Sequence, residues 1–152
     1  MIVDSLVASL VDTNILVYCH DFAAPFKREA ARDLLRKGAA NRELRIPHQA
    51  MVEFVNVTTR RRGGSNPLLP REEAWRQAED LLNEFPVLYP NESVFRTAML
   101  GMAAYRFAWY DAHLWAYAEH YCIPEILSED FEHGRRYGTV RVRNPFVEMG
   151  LG

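Results

Sequence analysis

The apolar run Leu6-Val7-Ala8-Ser9-Leu10-Val11 breaks off at Asp12, and that junction constrains the fold more than any other feature of the chain. Short and β-branched, the run reads as a strand buried on both faces, as in parallel sheets. A second junction of this kind stands where Glu125-Ile126-Leu127 meets Ser128-Glu129-Asp130. Between the two, helical and strand signals alternate. Ile15 to His20 suggests a short helix. Pro25 to Gly38 suggests a longer one, with Phe26, Ala30, Ala31, Leu34 and Leu35 near helical spacing and Gly38 as its stop. Leu44 to Pro47 reads as a strand and His48 to Arg62 as a helix. Pro70 opens a further helix, with Glu72 and Glu73 in the first turn, where the helix dipole favours acids. Its apolar stripe is Ala74, Trp75, Ala78, Leu81, Leu82 and Phe85. Pro86 to Tyr89 is a strand, Asn91 caps a helix through about Tyr105, and Trp109 to Tyr121 is another. Val140 to Val142 is a last strand before Asn144-Pro145. Only Arg60 to Pro67 reads as a long surface loop.

Strands alternating with helices predict an α/β fold, three layers deep, with a short central parallel sheet between helices. The chain has 152 residues, 49% of them hydrophobic, enough to bury a core as one domain over residues 1–152. In such sheets ligands bind outside the carboxyl ends of the strands. Asp12 and Asp130 each follow a strand, so they converge if those strands are neighbours. Two further acids have equally apolar surroundings: Glu53 within Met51-Val52-Glu53-Phe54-Val55, and Asp111 within Phe107-Ala108-Trp109-Tyr110-Asp111-Ala112. An ionised carboxylate there is costly unless it is paired, hydrogen-bonded or bound to metal. The only lysines are Lys27 and Lys37. Converging carboxylates without matching lysines point to a hard divalent cation, magnesium or manganese. Each acid alone also has a plainer use. Asp12 and Asp111 fit helix caps, and Asp130 fits a turn. Glu53 fits a solvated stripe with Gln49, Asn56 and Arg60.

Net charge of -2 gives no global attraction to nucleic acid. The basic residues are nearly all arginines, whose planar forks suit phosphates, although a GC-rich genome gives the same bias. Cys19 and Cys122 are far apart with no CxxC spacing, which argues against structural zinc or a disulfide framework and for a reducing cytoplasm. The opening MIVDSLVASLVD has no basic region and carries Asp4 and Asp12 within the apolar run, unlike a signal peptide. No stretch approaches the roughly 18 apolar residues of a membrane span. A receiver domain would need a lysine after Lys37, and a DxDxT phosphatase would need an acid at Asn14.

Four segments in order, Val11-Asp12-Thr13-Asn14-Ile15-Leu16, Val52-Glu53-Phe54, Trp109-Tyr110-Asp111-Ala112-His113 and Leu127-Ser128-Glu129-Asp130-Phe131, together resemble the PIN-domain ribonuclease family. Within it the pattern is most similar to VapC-type toxins of prokaryotic toxin–antitoxin pairs, and the likeness spans nearly the whole chain. The resemblance implies a PIN-like fold and a metal-dependent endoribonuclease. It implies that Asp12, Glu53, Asp111 and Asp130 hold Mg2+ or Mn2+, with Ser128 and Thr13 or Asn14 orienting water or carboxylates. Glu129 competes with Asp130 for the fourth place; Asp130 is preferred because it lies two residues beyond Ser128. Implied partners are an RNA substrate, a protein antitoxin and a second copy of the chain. The same chemistry would serve an RNA-processing PIN nuclease outside toxin systems, and the fold alone would serve a silent binding module. Arg60, Arg61 and Arg62, beside Gly63-Gly64, form a candidate clamp on the RNA backbone. Arg135, Arg136, Arg141 and Arg143 form a second basic group near the fourth acidic position in sequence. Trp109, Tyr110 and Trp115 could stack on bases, but their spacing suits a core or dimer surface better. The five histidines read as structural or surface residues.

Overall fold

The computed structural model describes residues 8–151. Leu6 and Val7, expected in the first strand, lie outside the described residues, as does the opening segment through Asp4. Six strands and seven helices follow one another: β1 (Ser9–Val11), α1 (Thr13–Tyr18), α2 (Pro25–Asn41), β2 (Leu44–Pro47), α3 (His48–Thr59), α4 (Arg71–Glu84), β3 (Val87–Leu88), α5 (Glu92–Tyr105), α6 (Trp109–His120), β4 (Glu125–Leu127), β5 (Arg136–Tyr137), β6 (Val140–Arg143) and α7 (Pro145–Glu148). The strand order is β3-β2-β1-β4-β6-β5. Within this sheet the strands pair in parallel except β5 with β6. From β1 the chain builds outward through β2 and β3, then crosses over to set β4 on the other side of β1. The junction of β1 and β4 is therefore a topological switch point, where a crevice opens at the carboxyl ends of the strands.

The alternation of side chains along the strands makes the layers. Leu10, Ile126 and Val142 face one core, shared with Val94 and Ala98 of α5 and with Ala112, Trp115 and Ala116 of α6. Val11 and Leu127 face the other, shared with α1 to α4 through Ile15, Ala31, Phe54 and Ala74. This is the three-layer α/β/α architecture expected from the alternating pattern. Among the described residues no helix is long and apolar enough to cross a membrane.

Several boundaries shift by a residue or two from the sequence expectation, and three departures have a clear local reason. Helix α2 runs through Gly38 to Asn41 and stops at Arg42, which takes a left-handed conformation at φ 59°. Gly38 serves packing instead: a Cβ there would sit 2.2 Å from Leu44 Cδ1, so its absence lets α2 lie close on β2. Helix α3 ends at Thr59, short of the arginines, where Arg60 turns extended. Thr58 and Thr59 bond back to the Phe54 and Val55 carbonyls, and the chain folds back as Leu69 N–H donates to Thr58 O at 2.9 Å. The short strand β5 carries no periodicity of its own. It exists as the first arm of a hairpin with β6, whose turn is held by Glu119, which accepts both the amide and the hydroxyl of Thr139.

Candidate active site

Asp12 stands where β1 gives way to α1. Its amide donates to Leu127 O at 3.0 Å, which fixes it against the end of β4. Its Oδ1 accepts the Thr13 amide at 2.7 Å and its Oδ2 accepts the Ser128 hydroxyl at 2.6 Å. The capping role and the site role thus belong to one side chain. Ser128, wholly buried, also accepts the Asp130 amide at 3.0 Å. That bond folds the turn after β4 so that Asp130 faces α1, where Asn14 Nδ2 contacts both its carboxylate oxygens at 3.3 and 3.1 Å.

Glu53 enters from α3. Its Oε1 accepts the Thr13 hydroxyl at 3.1 Å and Gln49 Nε2 at 3.3 Å. Gln49 also donates to the Tyr110 carbonyl at 3.1 Å, tying α3 to the start of α6. Asp111 is the third residue of that helix; its N-cap is Ala108, so Asp111 is no cap. It sits where the helix dipole favours negative charge. Thr13 and Asn14 therefore each bridge to a different acid. Gln49 is a supporting residue that sequence reasoning placed only in a polar stripe; its spacing four residues before Glu53 was the available signal.

The charges sense one another. Burial pushes the Asp12 carboxyl up to about 7; the Ser128 hydroxyl opposes this and the nearby Asp130 charge adds to it. Burial also raises Asp111, followed by the fields of Asp130 and Glu53. Among the described residues none of the four acids pairs with a lysine or arginine. Glu129, by contrast, is engaged by Lys27 at 3.0 Å and by the Tyr18 hydroxyl. Among the described residues no three acid, imidazole or thiol groups stand close enough to wrap an ion as they are. Asp12 feels the Asp130 charge directly, and hydroxyls and amides hold Asp12, Glu53 and Asp130. The donor set fits a hard divalent cation all the same. It is all oxygen, and a cation would offset the burial and the neighbouring charges that together raise Asp12 and Asp111.

The basic groups lie elsewhere. Arg60, Arg61 and Arg62 are exposed beyond the end of α3, with Arg60 about 10 Å along the helix axis from Glu53. Arg143 is taken by Glu125 and Glu148, and Arg135 lies over the Tyr137 ring. Arg136 and Arg141 line a groove with Ser9, Leu44 and Glu125, the first residues of β1, β2 and β4, at the opposite end of the strands from Asp12. Nearness to Asp130 in sequence does not carry over to space. Trp115 is buried, its Nε1 donating to Tyr137 O at 3.0 Å, whereas Tyr110 is 66% exposed beside Asp111. His113 packs against Trp109 and Phe95, away from the acids.

Carboxylates gathered at the switch point of such a sheet define an acidic-site α/β protein. The PIN domain family model matches residues 9–138, and the chain belongs to that family. Solved structures share the fold. A toxin–antitoxin complex from Klebsiella pneumoniae aligns with TM-score 0.62 at 15% identity, over 91% of this chain and 98% of that one. The VapBC2 complex of Rickettsia felis, bound to a DNA fragment from its promoter, gives 0.66 at 12%, over 90% and 98%. VapC20 of Mycobacterium tuberculosis, a toxin that cleaves the sarcin–ricin loop, gives 0.61 at 15%, over 81% and 90%. Among curated proteins none matches the sequence significantly.

Proposed function

We propose that this protein is a divalent-metal-dependent endoribonuclease and the toxin of a toxin–antitoxin pair, acting in the cytoplasm. One observation carries the reading. A buried carboxylate, Asp12, lies in the crevice at the β1–β4 junction beside Asp130; Asp130 and Glu53 lie near Asp111; and among the described residues no lysine or arginine pairs with any of the four. Membership of the PIN family and the likeness to toxin structures support the toxin assignment.

Asp12, Glu53, Asp111 and Asp130 would hold Mg2+ or Mn2+. When bound, the ion lowers the pKa of a coordinated water and offsets charge on the phosphate. The chain's own residues do the rest. Ser128 fixes the rotamer of Asp12 while holding the Asp130 amide. Thr13 orients Glu53, and Asn14 orients Asp130. Hydrogen-bonded supports of this kind keep anionic ligands aimed at one point although they repel. Any of the four carboxylates left uncoordinated on one oxygen can accept the proton of the attacking water. The exposed arginines at 60–62 and the ring of Tyr110 are the candidate contacts for RNA beyond the cleaved bond.

Purified protein incubated with total RNA and Mn2+ tests the reading, beside an EDTA control and an Asp111→Asn variant. Discrete fragments with 5′-phosphate ends, lost in both controls, are expected. Cleavage that persists in both would overturn the site assignment. A growth arrest on expression, absent for Asp111→Asn, separates a toxin from a processing nuclease.

A further inference from the structure

Glu129 follows Ser128 and precedes Asp130, yet its carboxylate is gripped from outside the acid cluster. Its Oε2 lies 3.0 Å from Lys27 Nζ, both side chains being mostly buried, and its Oε1 accepts the Tyr18 hydroxyl. Lys27 Nζ in turn sits 5.1 Å from the Tyr18 ring centroid and 5.3 Å from that of Phe146. Those two rings meet edge to face at 5.2 Å. The last residue of α1, the first turn of α2 and the buried Phe146 of α7 thus converge on the middle residue of the turn after β4. Its neighbours carry the chemistry: Ser128 bonds Asp12, and Asp130 meets Asn14. A turn held at its centre by an ion pair cannot rotate without breaking that pair, so both neighbours keep their orientation. The same pair neutralises what would otherwise be a fifth carboxylate beside Asp130.

We infer that Lys27 and Tyr18 are positioning residues for the candidate metal centre. Through Glu129 they hold the Ser128–Asp130 turn in register. The inference rests on the metal-site reading given above.

Mn2+ titration calorimetry tests it on Lys27→Met, Glu129→Gln and the double variant, with Lys27→Arg and Tyr18→Phe alongside. Methionine keeps the apolar stem of Lys27 on the two rings, and thermal melts report whether each variant folds. Lys27→Met and Glu129→Gln should each weaken Mn2+ binding about tenfold, the effect expected of a residue that orients ligands. The double variant should be no worse than either single, because the interaction removed is the same one. Lys27→Arg should recover most of the affinity, an effect that loss of general packing would not give. Tyr18→Phe, which deletes one hydroxyl, should show a smaller loss of the same kind and serves if Lys27→Met fails to fold. Unchanged Mn2+ affinity in Lys27→Met and Tyr18→Phe, or penalties that add in the double variant, would overturn the inference. Wild-type protein that binds no Mn2+ would remove the metal-site reading itself, a failure visible in the wild-type arm alone.

Discussion

Replacing Asp12 with asparagine should make the metal-free protein more stable at alkaline pH and leave it little changed near pH 5. Burial lifts the Asp12 carboxyl from 3.8 to about 7 in the native state. A raised native pKa means that the folded protein binds the proton more tightly than the unfolded chain. Stability is therefore complete below about pH 4 and falls as pH rises through about 7, where Asp12 ionises in place. The full loss is about 4 kcal/mol at 1.36 kcal/mol per unit. Asparagine removes that cost but has one oxygen where the carboxylate uses two, for the Thr13 amide and the Ser128 hydroxyl. Giving up one of those bonds costs about 1–2 kcal/mol. The net gain at pH 8 is about 2 kcal/mol, or roughly 4–8 °C in Tm for a chain of this size. Near pH 5 gain and loss cancel. Melts of both proteins in EDTA from pH 5 to 8 measure this directly. A Tm difference that does not vary with pH, or an Asp12→Asn protein less stable at pH 8, would refute the argument. Stability given up at a site that repels itself is a mark of function.

Other outcomes follow from the same geometry. Ser128→Ala removes a buried donor from Asp12 and an acceptor from the Asp130 amide; it should lower stability by about 1–3 kcal/mol in denaturant titrations and reduce RNA cleavage more than Ser128→Thr does. Gly38→Val forces side-chain atoms into Leu44 and should cost about 1–3 kcal/mol while leaving Mn2+ affinity unaltered, since Gly38 lines the groove at the amino ends of β1, β2 and β4. A thiol reagent at pH 8 should label Cys122, which is exposed, and spare Cys19, whose thiol burial pushes up to about 12; rapid modification of both would mean that the α1 region opens easily.

The parts of the fold legible in the sequence are those written as local contrast. The Val11-Asp12 and Leu127-Ser128 junctions mark strand ends, because an apolar run cannot continue into a charge without leaving the core. Glu53 and Asp111 stood out for the same reason, and the parallel order of β1 and β4 then brings the acids to one edge. What stayed hidden depends on contacts between distant segments. Gly38 reads as a stop, yet its task is to admit Leu44. The engagement of Glu129 by Lys27 and Tyr18 spans more than a hundred residues, and nothing local to Glu129 announces it. The tie from Gln49 to the Tyr110 carbonyl is backbone-directed, so residue types alone carry no trace of it. Arg136 and Arg141 show the reverse error, where closeness in sequence to Asp130 hides opposite ends of the sheet.

The central claim is that Asp12, Glu53, Asp111 and Asp130 act together on a divalent ion. Mn2+ titration of wild-type protein against Asp12→Asn, Glu53→Gln, Asp111→Asn and Asp130→Asn measures it most directly. The account predicts saturable binding by the wild type that each substitution weakens at least about tenfold, the scale on which loss of even a supporting group lowers metal affinity. Wild-type binding that survives all four substitutions unchanged would place the ion elsewhere and contradict the account.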